Sequence, residues 1–251
     1  MIHPTASQGY ATADDYERAR PSYPQEAVEW LCRKLGLGPG SVVVELGAGT
    51  GKFTRLLTPS VGLLVATEPV AAMRAQLASA VDTPVVGAAA EAVPLVSTCA
   101  DAVVAATAFH WFRGTEALAE IHRVLRPGGG LGLIWNNPDR DYDWVRQIWT
   151  LVDERRGATP GNRDRRWQAA FETATGMTTL QGRHFLHSVE VDLEALLARV
   201  ASISFIAALP PGEREEVLQR VREIAASHSD LAGRTTFELP YRTEVYWSRK
   251  R

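Results

Sequence analysis

Residues 42–51 read Val-Val-Val-Glu-Leu-Gly-Ala-Gly-Thr-Gly, and no other stretch of the chain restricts its fold as strongly. Three β-branched residues in a short apolar run suit a strand buried on both faces, the situation of a parallel sheet. Glycines at 47, 49 and 51 permit a tight turn in which backbone comes close to a ligand. The segment from Lys52 to Leu57 then opens a helix, whose first N–H groups are unpaired and carry positive partial charge. A second apolar run at 63–67 is followed by Glu68, about twenty residues on. A carboxylate there can accept hydrogen bonds from both ribose hydroxyls of a nucleoside. Strand, glycine loop, helix and acid together predict a nucleoside-containing cofactor.

Spacing narrows the choice. A dinucleotide fingerprint needs its third glycine at position 52, which is Lys52. A Walker loop needs glycine where Leu46 stands and Ser or Thr where Phe53 stands.

The flanking sequence repeats the strand–helix alternation. Helical periodicity covers 24–35, 70–80 and 115–125, and short apolar runs at 83–86, 101–106 and 131–135 read as strands. Five alternations imply a doubly wound, mostly parallel sheet, an α/β Rossmann-like fold. Beyond Asn136 the pattern changes. Trp144, Ile148, Leu151 and Val152 mark an amphipathic helix, and strands over 182–191 and 235–247 would complete seven. Helices over 193–208 and 213–227 are split by Pro210-Pro211-Gly212. The chain is thus expected to be one domain, 1–251. Its core is about 40–136, its N-terminal lid about 1–24, its α-helical cover insertion about 139–178, and 179–251 carries the last helices and strands.

With 45% apolar and 22% charged residues, the chain has the composition of a soluble globular protein. A formal net charge of −2 argues against a nucleic-acid partner. Cys32 and Cys99 are far apart, which predicts reduced thiols in the cytoplasm. No run approaches the ~20 apolar residues of a membrane span, so no membrane partner is expected. No Cys/His/acid cluster has ligand spacing, so no metal is expected.

Glu45 to Gly51 and Glu68 resemble the first motif and the ribose-binding acid of class I S-adenosylmethionine (SAM) dependent methyltransferases. Gly87, Ala89-Ala90-Glu91 and Pro94-Leu95 are similar to that family's adenine segment, and Arg123-Val124-Leu125-Arg126-Pro127-Gly128-Gly129 to its turn into strand five. The resemblance implies SAM as cofactor. It would be held by Glu45, Gly47, Ala48, Gly49, Gly51, Glu68 and Thr107, with Ala90, Glu91 and Met73 about the adenine. For Met73 a core position is an equal reading. A narrower likeness, Tyr16-x-x-x-Arg20-Pro21-x-Tyr23-Pro24 with Phe109-His110-Trp111-Phe112, resembles small-molecule enzymes similar to trans-aconitate methyltransferase. There the N-terminal segment folds over the cofactor. Tyr16 and Arg20, four apart, share a helix face, and Arg20 suits the methionine carboxylate.

His110 stands beside a strand end that faces the expected pocket. It either takes a proton from a substrate hydroxyl or holds a carboxylate, unless it is bonded to backbone. Trp111, Trp135 and Asn136 are expected to wall the substrate pocket. The arginines at 155, 156, 163, 165 and 166 read first as solvated helix ends. The expected reaction is methyl transfer to a small molecule. A nucleic-acid methyltransferase, an NAD-dependent oxidoreductase and a non-catalytic SAM-binding protein remain as alternatives. The first lacks its Asn/Asp-Pro-Pro-aromatic signature at Ala106-Thr107-Ala108-Phe109.

Overall fold

The computed structural model describes residues 20–251. Tyr16 and most of the expected N-terminal lid lie outside them. Along the chain run α1 (Gln25–Leu35), β1 (Val42–Leu46), α2 (Lys52–Leu57), β2 (Leu63–Thr67), α3 (Ala71–Ala80), β3 (Val85–Val86) and β4 (Ala100–Ala106). Then follow α4 (Gly114–Val124), β5 (Leu125–Pro138), α5 (Asp143–Asp153), α6 (Ala169–Thr173), β6 (Gln181–Val191), α7 (Leu193–Ala201), α8 (Ser204–Ala207), α9 (Pro211–Ser227) and β7 (Phe237–Arg249). The strands form a seven-stranded sheet in the order β3-β2-β1-β4-β5-β7-β6. The pairs β1–β2, β1–β4, β2–β3 and β4–β5 are parallel. This is the doubly wound α/β sheet the alternation implied, and the order reverses beside β1, where such sheets bind ligands.

The described residues group into two compact units. The first comprises residues 22–135, 160–185 and 243–251. Strand alternation divides its core between the two sheet faces. Val44, Leu46, Val103, Ala105, Leu131, Leu133 and Trp135 pack with Leu118, Ile121 and Val124 of α4. Val43, Leu64, Ala102, Val104 and Ile134 pack with Leu31 and Leu35 of α1 and with Phe53 and Leu57 of α2. Each fully buried Leu or Ile contributes about 1.5–3 kcal/mol.

Two glycines of β5 set how closely α1 lies on the sheet. A Cβ at Gly130 would stand 2.6 Å from Leu35 Cδ2, and one at Gly132 would stand 3.0 Å from both Leu31 and Leu35. Their absent side chains are the slots into which α1's leucines fit. The helix stops at Gly36, whose φ of +70° suits a left-handed C-cap.

β5 begins at Leu125, six residues before the expected start. The family likeness places Arg126 to Gly129 in a turn before the strand. Instead, Ala100 pairs with Leu125 and Ala102 with Gly130, so the extra residues form an irregularity within the ladder.

The second unit comprises residues 136–159 and 186–242, with Arg20 and Pro21. Its core joins Trp144, Val145, Ile148, Trp149 and Val152 of α5 to Leu196 and Val200 of α7 and Val217 and Val221 of α9. Asp192 caps α7 by accepting the Ala195 N–H at 2.7 Å. The helix expected over 193–208 breaks at Ser202 and Ile203, where Ile203 has ψ 126°.

The expected cover, 139–178, is therefore divided between the units. Trp144 and Trp149 belong to the second core. Trp167 and Phe171 belong to the first, where Trp167 lies 4.6 Å from Trp135, ring centre to ring centre. Arginines 155, 156, 165 and 166 pair with Glu216, Asp153, Glu244 and Asp164: Asp153 borders the run and Asp164 lies within it, Glu216 and Glu244 come from distant segments, and the Arg156 side chain is mostly buried.

Candidate functional site

The site is built where β1, β2 and β4 end. Gly47, Gly49 and Gly51 all have positive φ, +67°, +60° and +87°. A Cβ at Gly47 would meet Ala108 Cβ at 2.9 Å, and one at Gly51 would meet Leu77 Cδ1 at 2.7 Å. Those two glycines answer to their own chain. Gly49 differs: among the described residues its nearest neighbour would be Met73 Sδ at 4.0 Å, an ordinary contact. Among the described residues it is the φ of +60°, and not a crowded Cβ, that demands glycine there.

Two acids flank the loop. Glu68 spans it from the end of β2, with Oε2 accepting the Gly49 N–H at 2.9 Å and Oε1 the Val70 N–H at 2.8 Å. The carboxylate therefore holds the glycine loop, and each oxygen keeps a further lone pair. Burial pushes its pKa up, opposed by these two N–H donors.

Glu45 is fully buried at the foot of the loop. Its Oε2 accepts the Thr54 hydroxyl at 2.7 Å, while Oε1 has no hydrogen-bond partner among the described residues. Burial drives its pKa from 4.5 to about 8, with the Thr54 bond opposing and Glu68 adding to the rise. A buried carboxylate oxygen with an empty valence is costly unless a donor or a cation meets it. Thr54 carries no signal in the sequence, since only the first turn of α2 brings its hydroxyl to Glu45.

Beyond β4 the chain is strained. Thr107 has φ +51°, unusual for a β-branched residue, and such outliers gather at functional sites. Its N–H donates to Ile134 O at 2.7 Å, and its hydroxyl lies 2.7 Å from the Tyr23 hydroxyl. A 3₁₀ turn, Phe109–Trp111, follows and carries His110. Trp135, the residue after Ile134 in β5, is fully buried and donates its indole N–H to His110 Nδ1 at 3.1 Å. Phe112 packs near the Cβ direction of Gly47, so this turn lies directly against the glycine loop.

The remaining expected residues fall as follows. Ala48, Met73 and Ala90 are buried. The Glu91 carboxylate accepts the Arg113 N–H at 2.8 Å, at the head of α4, so its side chain serves that helix. Trp111 is half-buried, 5.2 Å from the His110 ring. Arg20 donates to Ser202 O at 3.1 Å in the second unit, which also holds Asn136. Asp101 accepts the Val42 N–H at 2.7 Å and pairs with Arg126, and Arg123 binds the Val93 and Leu95 carbonyls. These motif residues tie the strand ends together. Among the described residues no helix is long and apolar enough to cross a membrane.

Residues 44–133 match the profile of a methyltransferase domain. An uncharacterized methyltransferase of Mycobacterium tuberculosis is 38% identical over 229 residues, covering 91% of this chain and 89% of the relative. An uncharacterized methyltransferase-like protein of Schizosaccharomyces pombe is 33% identical over 241 residues, covering 94% and 93%. Among solved structures, a candidate methyltransferase from an antibiotic biosynthesis pathway of Anabaena variabilis shares the fold. Its TM-score is 0.65 at 19% identity, over 88% of this chain and 96% of that one.

Proposed function

Since the chain belongs to the methyltransferases, we propose that it moves a methyl group from SAM to a small-molecule acceptor and that residues 1–251 act as one domain. Family membership implies SAM as the donor. The observation that carries the reading is Glu45, a fully buried carboxylate beneath the glycine loop with one oxygen that has no hydrogen-bond partner among the described residues. That donor set fits the cofactor: Glu45 for the ammonium of the methionine part, Glu68 for the ribose, and the backbone of Gly47–Gly51 beside them. Met73, Ala90 and the backbone at Glu91 are read as adenine contacts.

The cofactor supplies a methyl group already activated on a sulfonium. What falls to the chain is in-line placement of the acceptor and exclusion of water. The short turn carrying His110 stands against the glycine loop and provides the acceptor side. A small acceptor is favoured by the net charge of −2 and by the pairing of Arg156 with Asp153 and of Arg165 with Glu244 within the basic run. Tyr23 and His110, both at the β4 end, support the likeness to trans-aconitate methyltransferase-like enzymes.

Titration calorimetry with SAM tests the donor. Incubation with methyl-labelled SAM and a low-molecular-weight cell extract tests the transfer. Binding without label transfer to any extract component would favour a non-catalytic SAM-binding protein; label in nucleic acid alone would refute the small acceptor.

A further inference from the structure

We infer that Arg74 is a positioning residue for the nucleoside half of the cofactor: its guanidinium binds the main chain of the ribose acid, Glu68, fills the space a side chain would take at Gly87, and so fixes the spacing between the ribose contact and the adenine segment. The inference rests on the SAM reading for its ligand and on the structure alone for the clamp.

Gly87 opens the segment likened to the family's adenine motif, and its own backbone does not ask for glycine. Unlike Gly47, Gly49 and Gly51, it has no positive φ. What its missing side chain supplies is space. A Cβ there would lie 3.1 Å from Arg74 Cζ and 3.3 Å from both Nε and Nη1, its three nearest atoms among the described residues. The guanidinium stays in that space because it is held at its tip. Nη1 donates to Glu68 O at 2.9 Å and to Pro69 O at 3.1 Å. Both hydrogens of Nη1 are then engaged, and the planar group cannot swing out without breaking the two bonds. The first bond of α3, from Arg74 N–H to Val70 O at 2.9 Å, fixes where on the helix this side chain starts.

The place in the sheet gives such a tie its purpose. β3 is an edge strand of two residues, aligned on β2 through Ala66–Val85 and Thr67–Val86. The Glu68 N–H donates to Val86 O at 3.0 Å, one residue before Gly87. Arg74 carries the alignment past the end of that short ladder. Its charge also acts on the acid itself. Burial pushes the Glu68 carboxyl up, the Val70 and Gly49 N–H groups draw it down, and Arg74 adds to them. An ionised Glu68 accepts hydrogen bonds from both ribose hydroxyls and donates none.

Titration calorimetry of the full chain with S-adenosylhomocysteine and with its 2′-deoxy analogue reads positioning through the ribose. The wild type should prefer the hydroxylated ligand by about tenfold. Arg74→Ala should bind S-adenosylhomocysteine about tenfold more weakly and lose most of that preference. Arg74→Lys keeps a cation without the planar fork and should recover part of both. A loss equal for the two ligands with the preference intact, unchanged affinity in Arg74→Ala, or no preference in the wild type would each overturn the inference.

A double-mutant cycle tests the contact at Gly87. Gly87→Ala should weaken S-adenosylhomocysteine binding by about threefold in the wild type and by nothing measurable beside Arg74→Ala, where the new Cβ has room. Losses that add would overturn the clamp. Should the wild type bind neither ligand, the SAM reading falls, and the same cycle in urea unfolding decides the clamp without a ligand. Gly87→Ala should lower the unfolding midpoint of the wild type and leave that of Arg74→Ala unmoved; equal shifts in both would overturn it. Arg74→Gln, which keeps much of the side-chain bulk, replaces Arg74→Ala in both cycles if the alanine variant does not fold.

Discussion

Replacing Glu45 by glutamine should make the cofactor-free protein more stable at alkaline pH, and the size of the gain follows from the burial of one carboxyl group. Its pKa rises from 4.5 in an exposed chain to about 8 in the fold. Between those values the native state holds a proton that the unfolded chain releases. Stability is then complete below pH 4.5 and falls as pH rises toward 8. At ~1.4 kcal/mol per pH unit, the loss across that interval reaches about 5 kcal/mol. Against a typical total of about 5–15 kcal/mol, this one group is a large liability. Glutamine keeps the shape and can still accept the Thr54 hydroxyl bond, yet never ionises. Urea unfolding of both proteins from pH 5 to 9 isolates the effect, because every other titrating group cancels in the difference. The two should be nearly equal at pH 5, and the variant ahead by several kcal/mol at pH 9. Parallel profiles would refute the reasoning: Glu45 would then be ionised and compensated in the folded protein. The same substitution removes the charge assigned to the cofactor ammonium, so SAM affinity should fall while stability rises.

Three further outcomes are expected. Glu68→Ala should weaken SAM binding at least about tenfold by calorimetry, since charge-assisted bonds contribute about 1.5–3 kcal/mol each; unchanged affinity would remove Glu68 from the ribose. Gly51→Ala should lower the melting temperature more than Gly49→Ala, because both positions have positive φ but only the first drives a Cβ to 2.7 Å from Leu77. Gly49→Ala should instead show its larger effect on SAM binding, and a normal titration would mean that the loop is structural only. Tyr23→Phe removes the 2.7 Å bond to the Thr107 hydroxyl and should cost about 1 kcal/mol in denaturant unfolding, with no change signifying that solvent replaces it.

The legibility of this chain divides along a physical line. β1 and β2 were readable to the residue because an apolar β-branched run ended by glycine or an acid has few alternatives. The glycine loop was readable because left-handed backbone at three alternate positions requires that residue type. β5 was shortened in the reading because Pro127 and Gly128–Gly130 are turn formers in isolation, and only pairing with β4 holds them extended. The split of 139–178 was hidden because aromatic content announces a core without saying which one. Thr54 beside Glu45, and Trp135 beside His110, are products of sheet order and helix phase. A one-dimensional pattern does not encode neighbours that are 9 and 25 residues apart.

The strand order has a consequence for how the protein is made. β7 is the last strand to leave the ribosome, yet it occupies an interior place, between β5 and β6. Until residues 237–249 emerge, β5 is an open edge carrying Trp135 and a row of unpaired N–H and C=O groups. β6 is already synthesised but has no neighbour to join. Sheet completion therefore waits for β7, and a chain that lacks this strand exposes a sticky apolar edge at β5. Loss of residues 237–249 would act as a chaperone and aggregation problem before it acted on the glycine loop at 47–51.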